Sequence, residues 1–185
     1  MIVPPKVKYS KEEIVEAAYE LIRKEGGSAL TARRLATALG TSTAPVFTAF
    51  ESIDALNEAV FARAKACYDG YLSKGLTHAI PFKGAGLAHI CFAKDEPLLF
   101  RYLFMERKGD APVLHYLPGN GDNEERVRKT VESYGYETES AKRLYNHLSV
   151  YVHGLAMLYA LEQTVFDEGD IDVMLSEVFH ALKEK

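Results

Sequence analysis

The stretch from Thr31 to Phe50, TARRLATALGTSTAPVFTAF, restricts the fold of this chain more than any other. Leu35, Leu39, Val46 and Phe50 are spaced so that two short helices can be tied together across a tight turn at Gly40, leaving Thr41, Ser42, Thr43 and Thr48 outside. Thr31 is a good N-cap, because its hydroxyl accepts from the free N–H groups of a first helical turn, and Gly40 takes the left-handed conformation that ends a helix. The first helix then spans about 32–39. Ser42 or Thr41 caps the second, about 43–49, with Pro45 in its first turn, where a missing N–H costs nothing. This is a helix-turn-helix pattern, and the outer side of its second helix fits a groove one helix wide, the major groove of duplex DNA. A plain helical hairpin with a glycine turn gives similar spacing, so the neighbouring residues must decide.

Before the motif, Ser10 and Glu13 form a capping box for a helix whose apolar face is Ile14, Ala17, Ala18, Leu21 and Ile22, and Gly26 and Gly27 stop it. After it, Ser52 caps a long helix in which Ile53, Leu56, Val60, Ala64, Cys67, Tyr68 and Tyr71 keep the 3.6 period for about five turns. Charge is divided along the chain. Residues 1–50 hold seven Lys and Arg against five Glu, a balance of +2, so the net −4 leaves −6 on the rest. A modestly positive end on an acidic body orients the approach to DNA, and Lys6 and Lys8, beside the Pro4-Pro5 tail, can reach a phosphate or a minor groove.

With these residues in view the chain resembles the TetR family of transcriptional regulators. The resemblance lies in the leading amphipathic helix, in Thr31, Leu35, Ala36, Leu39 and Gly40, in Ser42, Phe47 and Phe50, and in Leu56; it covers about 50 residues. Phe47, Ala49 and Ile53 stand where the family pattern usually has Tyr, His and Lys, and the last two changes remove donors that grip phosphates. The resemblance implies an all-α fold of about nine helices, with a three-helix DNA-binding head over 1–51 and a helical ligand-binding and dimerisation domain over 52–185. It also makes the long helix from Ser52 the lever that changes the spacing of two DNA-reading heads.

The remaining chain is read from its own pattern. Phe82 to Lys94 forms a helix, Asp95-Glu96-Pro97 ends it and starts another, and Leu98 to Met105 is apolar almost all round, so it is buried or lines a cavity. GDAPVLHYLPGNGDN, from Gly109 to Asn123, is a long loop suited to an entrance or lid, and Asp122 with Glu125 caps the next helix. A helix from Thr138 to about Thr164 has two apolar faces: Leu144, Leu148, Tyr151, Leu155 and Leu158 on one, His147, Val150, Gly154, Met157 and Leu161 on the other. Two faces need two partners. With a last helix carrying Ile171, Met174, Leu175, Val178, Phe179 and Leu182, it resembles the family's four-helix dimer interface, and two-fold symmetry suits a pseudo-palindromic operator.

Candidate sites follow. Lys6, Lys8, Thr31 and Arg33 hold phosphates, while Thr41, Ser42, Thr43, Phe47 and Thr48 approach bases. Phe92, Phe100, Phe104, Met105, Tyr134, Tyr145, His147 and Tyr151, with His153, supply aromatic walls and polar tips for a small-molecule effector. His147 and His153 are six apart, not the i, i+4 spacing of metal ligands, so no metal or other cofactor is expected. Catalytic motifs such as a P-loop, GxSxG, HExxH or GxGxxG are missing, which argues against an enzyme. Cys67 and Cys91 are expected to be buried free thiols, and with no membrane span or signal-like N-terminus the reading is cytoplasmic. The reading is a ligand-responsive repressor acting as a homodimer on double-stranded DNA; the alternative is a helical small-molecule carrier or protein-interaction module that has lost DNA affinity.

Overall fold

The computed structural model describes residues 9–106, 135, 137–164 and 166–183. Eight α-helices occur among them: α1 Lys11–Glu25, α2 Ala32–Ala38, α3 Ala44–Ala49, α4 Ile53–Gly75, α5 Pro81–Asp95, α6 Pro97–Phe104, α7 Thr138–Ala160 and α8 Glu168–Lys183, with a short 3-10 turn Gly27–Ala29. The all-α class holds, with eight described helices against about nine expected. Lys6, Lys8, Tyr134, the loop Gly109–Asn123 and the Asp122 cap lie outside the described residues.

Local chemistry sets the head. The Ser10 hydroxyl accepts from the Glu13 N–H while the Glu13 carboxylate accepts from the Ser10 N–H at 2.7 Å, closing the capping box. Gly26, at φ 85°, ends α1. Thr31 caps α2 by accepting from the Arg34 N–H at 3.3 Å, and Gly40 turns the chain at φ 62°. Around that turn Leu35, Val46 and Phe50 are buried against Ile14, Ala18 and Ile22 of α1, which backs the two helices. The cap of α3 differs from expectation: its N-cap is Thr43, with no side-chain bond, and the Ser42 hydroxyl reaches only the Ala44 N–H at 3.4 Å. Pro45 in the first turn supplies the start instead.

The core runs without a break from the head into the body. Leu56, Val60, Ala64, Tyr68 and Leu72 of α4 are buried between α1 on one side and α5 and α6 on the other. α4 is longer than the five turns expected, 23 residues, because its period carries past Tyr71 to Leu72. Where it ends, Gly75 lies so close to Gly84 of α5 that a Cβ on either residue would overlap the other's carbonyl oxygen. α7 stops at Ala160 rather than near Thr164, turned by Glu162 at φ 55°. Its inward face is Tyr145, Leu148, Val152, Leu155, Ala156 and Ala160, so Leu144, Tyr151 and Leu158 are only half-buried. Cys67 is half-buried and Cys91 exposed, both unpaired, which corrects the expectation of two buried thiols. No helix of the described residues is long and apolar enough to cross a membrane.

Candidate nucleic-acid interface and body cavity

The expected base-reading residues share an open face. Ser42, Phe47 and Thr48 are exposed and Thr41 and Thr43 half-exposed, whereas Val46 on the opposite side of α3 is fully buried. Phe47 is 54% exposed, an aromatic ring that the fold itself does not use. The Thr48 hydroxyl donates back to the Ala44 carbonyl at 2.9 Å, which leaves its lone pairs facing outward as acceptors. Thr31 is exposed, but its oxygen is committed to capping α2. Arg33 is exposed with no acidic partner among the described residues, while its neighbour Arg34 pairs with Glu25. Ala49 and Ile53 are half-buried against the core, so the two positions that lack phosphate donors serve packing. The Tyr9 hydroxyl donates to the Leu39 carbonyl at 2.5 Å and pins the chain beside the turn.

A second link joins head to body. Glu96, at the corner where α5 ends and α6 begins, is buried, and its two carboxylate oxygens accept from Arg23 Nε at 2.7 Å and Nη2 at 2.5 Å. The Glu96 carboxylate raises the already high proton affinity of the Arg23 guanidinium. Tyr102 of α6 donates to Asn57 of α4 at 2.7 Å, and Arg63 of α4 pairs with Glu16 of α1 at 2.8 Å. Movement of the α5–α6 corner therefore reaches α1 directly as well as through α4.

The body holds a cavity of about 210 Å³ between α5, α7 and α8. Phe82, Gly86 and His89 line it from α5, Tyr145, Leu148, Ser149 and Val152 from α7, and Leu175, Ser176 and Phe179 from α8. Of the expected aromatic walls, Tyr145 is there. Phe92, Phe100 and Phe104 are instead buried core residues packed with Tyr68 beneath α4, Met105 and Tyr151 are half-buried against the same core, and His147 is exposed. The missed wall residues left one trace in sequence, the Gly84-Ala85-Gly86 run of α5: Gly84 admits α4, and Gly86 makes room beside Val152.

The aromatic core encloses a polar chain. The Tyr68 hydroxyl lies 2.8 Å from His89 Nδ1, and His89 Nε2 lies 3.1 Å from His153 Nδ1. Burial pushes His89 down to about 3 and lowers His153 as well, so both imidazoles are neutral at pH 7. A neutral His89 carries one N–H. The arrangement that satisfies every buried proton has Tyr68 donating to Nδ1 and Nε2–H donating to His153, a tautomer fixed by the network. Phe100 and Phe104 pack on His89 at ring distances of 5.3 and 5.2 Å. Across the cavity the Tyr145 hydroxyl is buried without a hydrogen bond of standard geometry; the Ser149 hydroxyl one turn on acts on it, and burial raises its ionisation well above the usual tyrosine value.

The second face of α7 is open. Val150 is 62% exposed, His147, Gly154 and Leu161 share its side, and Val173 of α8 is 54% exposed. Nothing lies within 4 Å of a Cβ built on Gly154.

Comparison with known proteins matches this geometry. Residues 14–60, which span α1 to the first two turns of α4, match the family model described as bacterial regulatory proteins, tetR family. A solved structure of a TetR family protein from Vibrio parahaemolyticus superposes with a TM-score of 0.61 at 15% identity, covering 92% of this chain and 97% of that one; at that identity the likeness is one of fold. No curated protein sequence matches the chain.

Proposed function

From the match of residues 14–60 to the tetR family model and the TetR-like fold, we propose that the chain is a TetR-family transcriptional repressor that binds a pseudo-palindromic operator as a homodimer and is released by a small molecule held in the body cavity. The observation that carries this reading is the α3 face: Val46 buried behind it, and Ser42, Phe47 and Thr48 left open in front, on a helix whose entry is set by Gly40. A carrier or interaction module has no need of an outward polar face on a six-residue helix held at a fixed angle.

In this reading Thr43 and Thr48 accept from base edges, Phe47 packs on a sugar or a thymine methyl, and Arg33 holds a phosphate. Lys6 and Lys8 extend the phosphate grip, supported by the pinning of the adjacent Tyr9 beside the turn. Thr31 contributes through the helix it caps rather than as a ligand of its own. With Ala49 and Ile53 turned toward the core, affinity rests on few phosphate contacts and falls only modestly with salt. The open faces of α7 and α8 supply the dimer, their apolar side chains meeting across a two-fold axis where Gly154 lets backbones approach. An effector between α5, α7 and α8 displaces α5, and the Gly75–Gly84 contact and the Arg23–Glu96 pair pass that shift to α4 and α1. Release requires that the effector favour one spacing of the two heads over the other.

Selection of bound sequences from a random duplex pool tests the proposal. A two-fold motif with half-sites about one helical turn apart is expected. Arg33→Ala should weaken every sequence alike and lower the salt slope by about one, whereas Thr43→Ala and Thr48→Ala should change the motif. A pool that yields no enriched motif overturns the repressor in favour of the carrier or interaction module.

A further inference from the structure

We infer that the cavity between α5, α7 and α8 takes a compact, uncharged molecule with an apolar body and rejects carboxylates of the same shape. This specifies the effector class and rests on the regulatory reading above. The walls are mainly hydrocarbon and aromatic, from Phe82, Leu148, Val152, Leu175 and Phe179, and the volume of about 210 Å³ falls below the roughly 300–1,000 Å³ of sites for drug-sized ligands. A fused pair of rings is near the limit.

Charge at the wall is already spent. The Lys83 ammonium lies 2.5 Å from an Asp172 carboxylate oxygen and 3.2 Å from the Ser176 hydroxyl. An anion arriving at Lys83 meets the Asp172 carboxylate on the same ammonium; a cation finds Asp172 already neutralised. His89 offers a ring and no free nitrogen, since Tyr68 and His153 occupy both. His180 is exposed at the rim, in ring contact with Phe179. An ion entering this site therefore gives up its water without a free counter-charge, which disfavours it strongly relative to a neutral isostere. For a neutral guest the wall still offers an uncharged hydroxyl, that of Ser149, which suits a hydroxyl or carbonyl.

The test uses the full chain and two probes with the same body, 2-naphthol and 2-naphthoate, by calorimetric titration at pH 7. The expected result is saturable binding of 2-naphthol at one site per chain, at least tenfold tighter than 2-naphthoate. Val152→Phe and Leu175→Phe fill the cavity from opposite walls, and each folded variant, judged by its helical circular dichroism, should lose at least tenfold in 2-naphthol affinity. Equal or tighter binding of the carboxylate, no saturable binding of 2-naphthol, or unchanged affinity in a folded filled variant overturns the inference. The charge comparison on the unaltered chain decides the class even if both variants fail to fold. A mobility shift with DNA and no probe is run in parallel: a chain that holds 2-naphthol but binds no DNA sinks the regulatory reading, while one that binds DNA and not 2-naphthol sinks only the effector class.

Discussion

Arg23 and Glu96 should respond unequally to substitution, and the inequality follows from where each side chain sits. The Glu96 side chain is 10% exposed and the Arg23 side chain 45% exposed, and both guanidinium contacts reach the carboxylate at 2.7 Å or less. Arg23→Met keeps the apolar stem but strands a buried carboxylate without its cation, a loss at the low end of the range for broken buried pairs, about 3 kcal/mol. Glu96→Gln keeps an acceptor oxygen at the corner and leaves an arginine that is half in water, with Glu20 at 3.5 Å, so its cost is about 1 kcal/mol. For a chain of this size each kcal/mol moves the melting temperature by about 2–4 °C, so the two variants should separate by about 4–8 °C. Thermal melts followed by helical circular dichroism at pH 7 measure this. The double variant should fall well short of the sum of the single losses, because the pair acts as a unit. Equal losses, or a larger loss for Glu96→Gln, would refute the view that a buried carboxylate ties the α5–α6 corner to α1.

Three further outcomes are expected. Because burial depresses His89 from 6.5 to about 3, the unfolded chain takes up that proton first as pH falls. The neutral form's contribution is complete above about pH 7 and is lost from 6.5 downward, at up to about 1.4 kcal/mol per pH unit for this group alone. Melts between pH 7 and 5.5 should show the decline, His89→Gln should flatten it, and an unchanged slope in a folded variant would remove His89 as its source. Gly84→Ala should destabilise by about 1–3 kcal/mol in urea unfolding, since its methyl meets the Gly75 carbonyl; a neutral result would mean the two helices part easily. Val150→Glu and Val173→Glu should turn a dimer into a monomer in sedimentation analysis while keeping helical content, each change counting twice across a two-fold interface, and a persisting dimer would place the interface elsewhere.

The head was legible because its signals are local. Ser10, Thr31 and Ser52 cap with their own hydroxyls, Gly40 needs a conformation other residues avoid, and Leu35, Val46 and Phe50 bury at the spacing their helices dictate. The body was legible as helices but not as a site. Phe92, Phe100 and Phe104 look like cavity walls in sequence, yet the corner at Glu96 folds α6 back so that the rings of both helices pack on Tyr68 and His89 in the core. Which face of α7 turns inward depends on how α5 crosses it, a long-range choice that the two competing apolar stripes leave undecided; Val152 won over Tyr151. The Lys83–Asp172 and Arg23–Glu96 pairs join residues 89 and 73 positions apart, and no local pattern marks either.

If the α3 face reads DNA, a mobility shift with the DNA flanking the chain's own gene will show it. The shift should be saturable, survive excess random duplex, weaken with added salt, and be lost from the flanking DNA when Thr43 and Thr48 are both replaced by alanine in a chain that remains folded. A shift that random duplex abolishes equally, or one indifferent to those two residues, would contradict that role for α3.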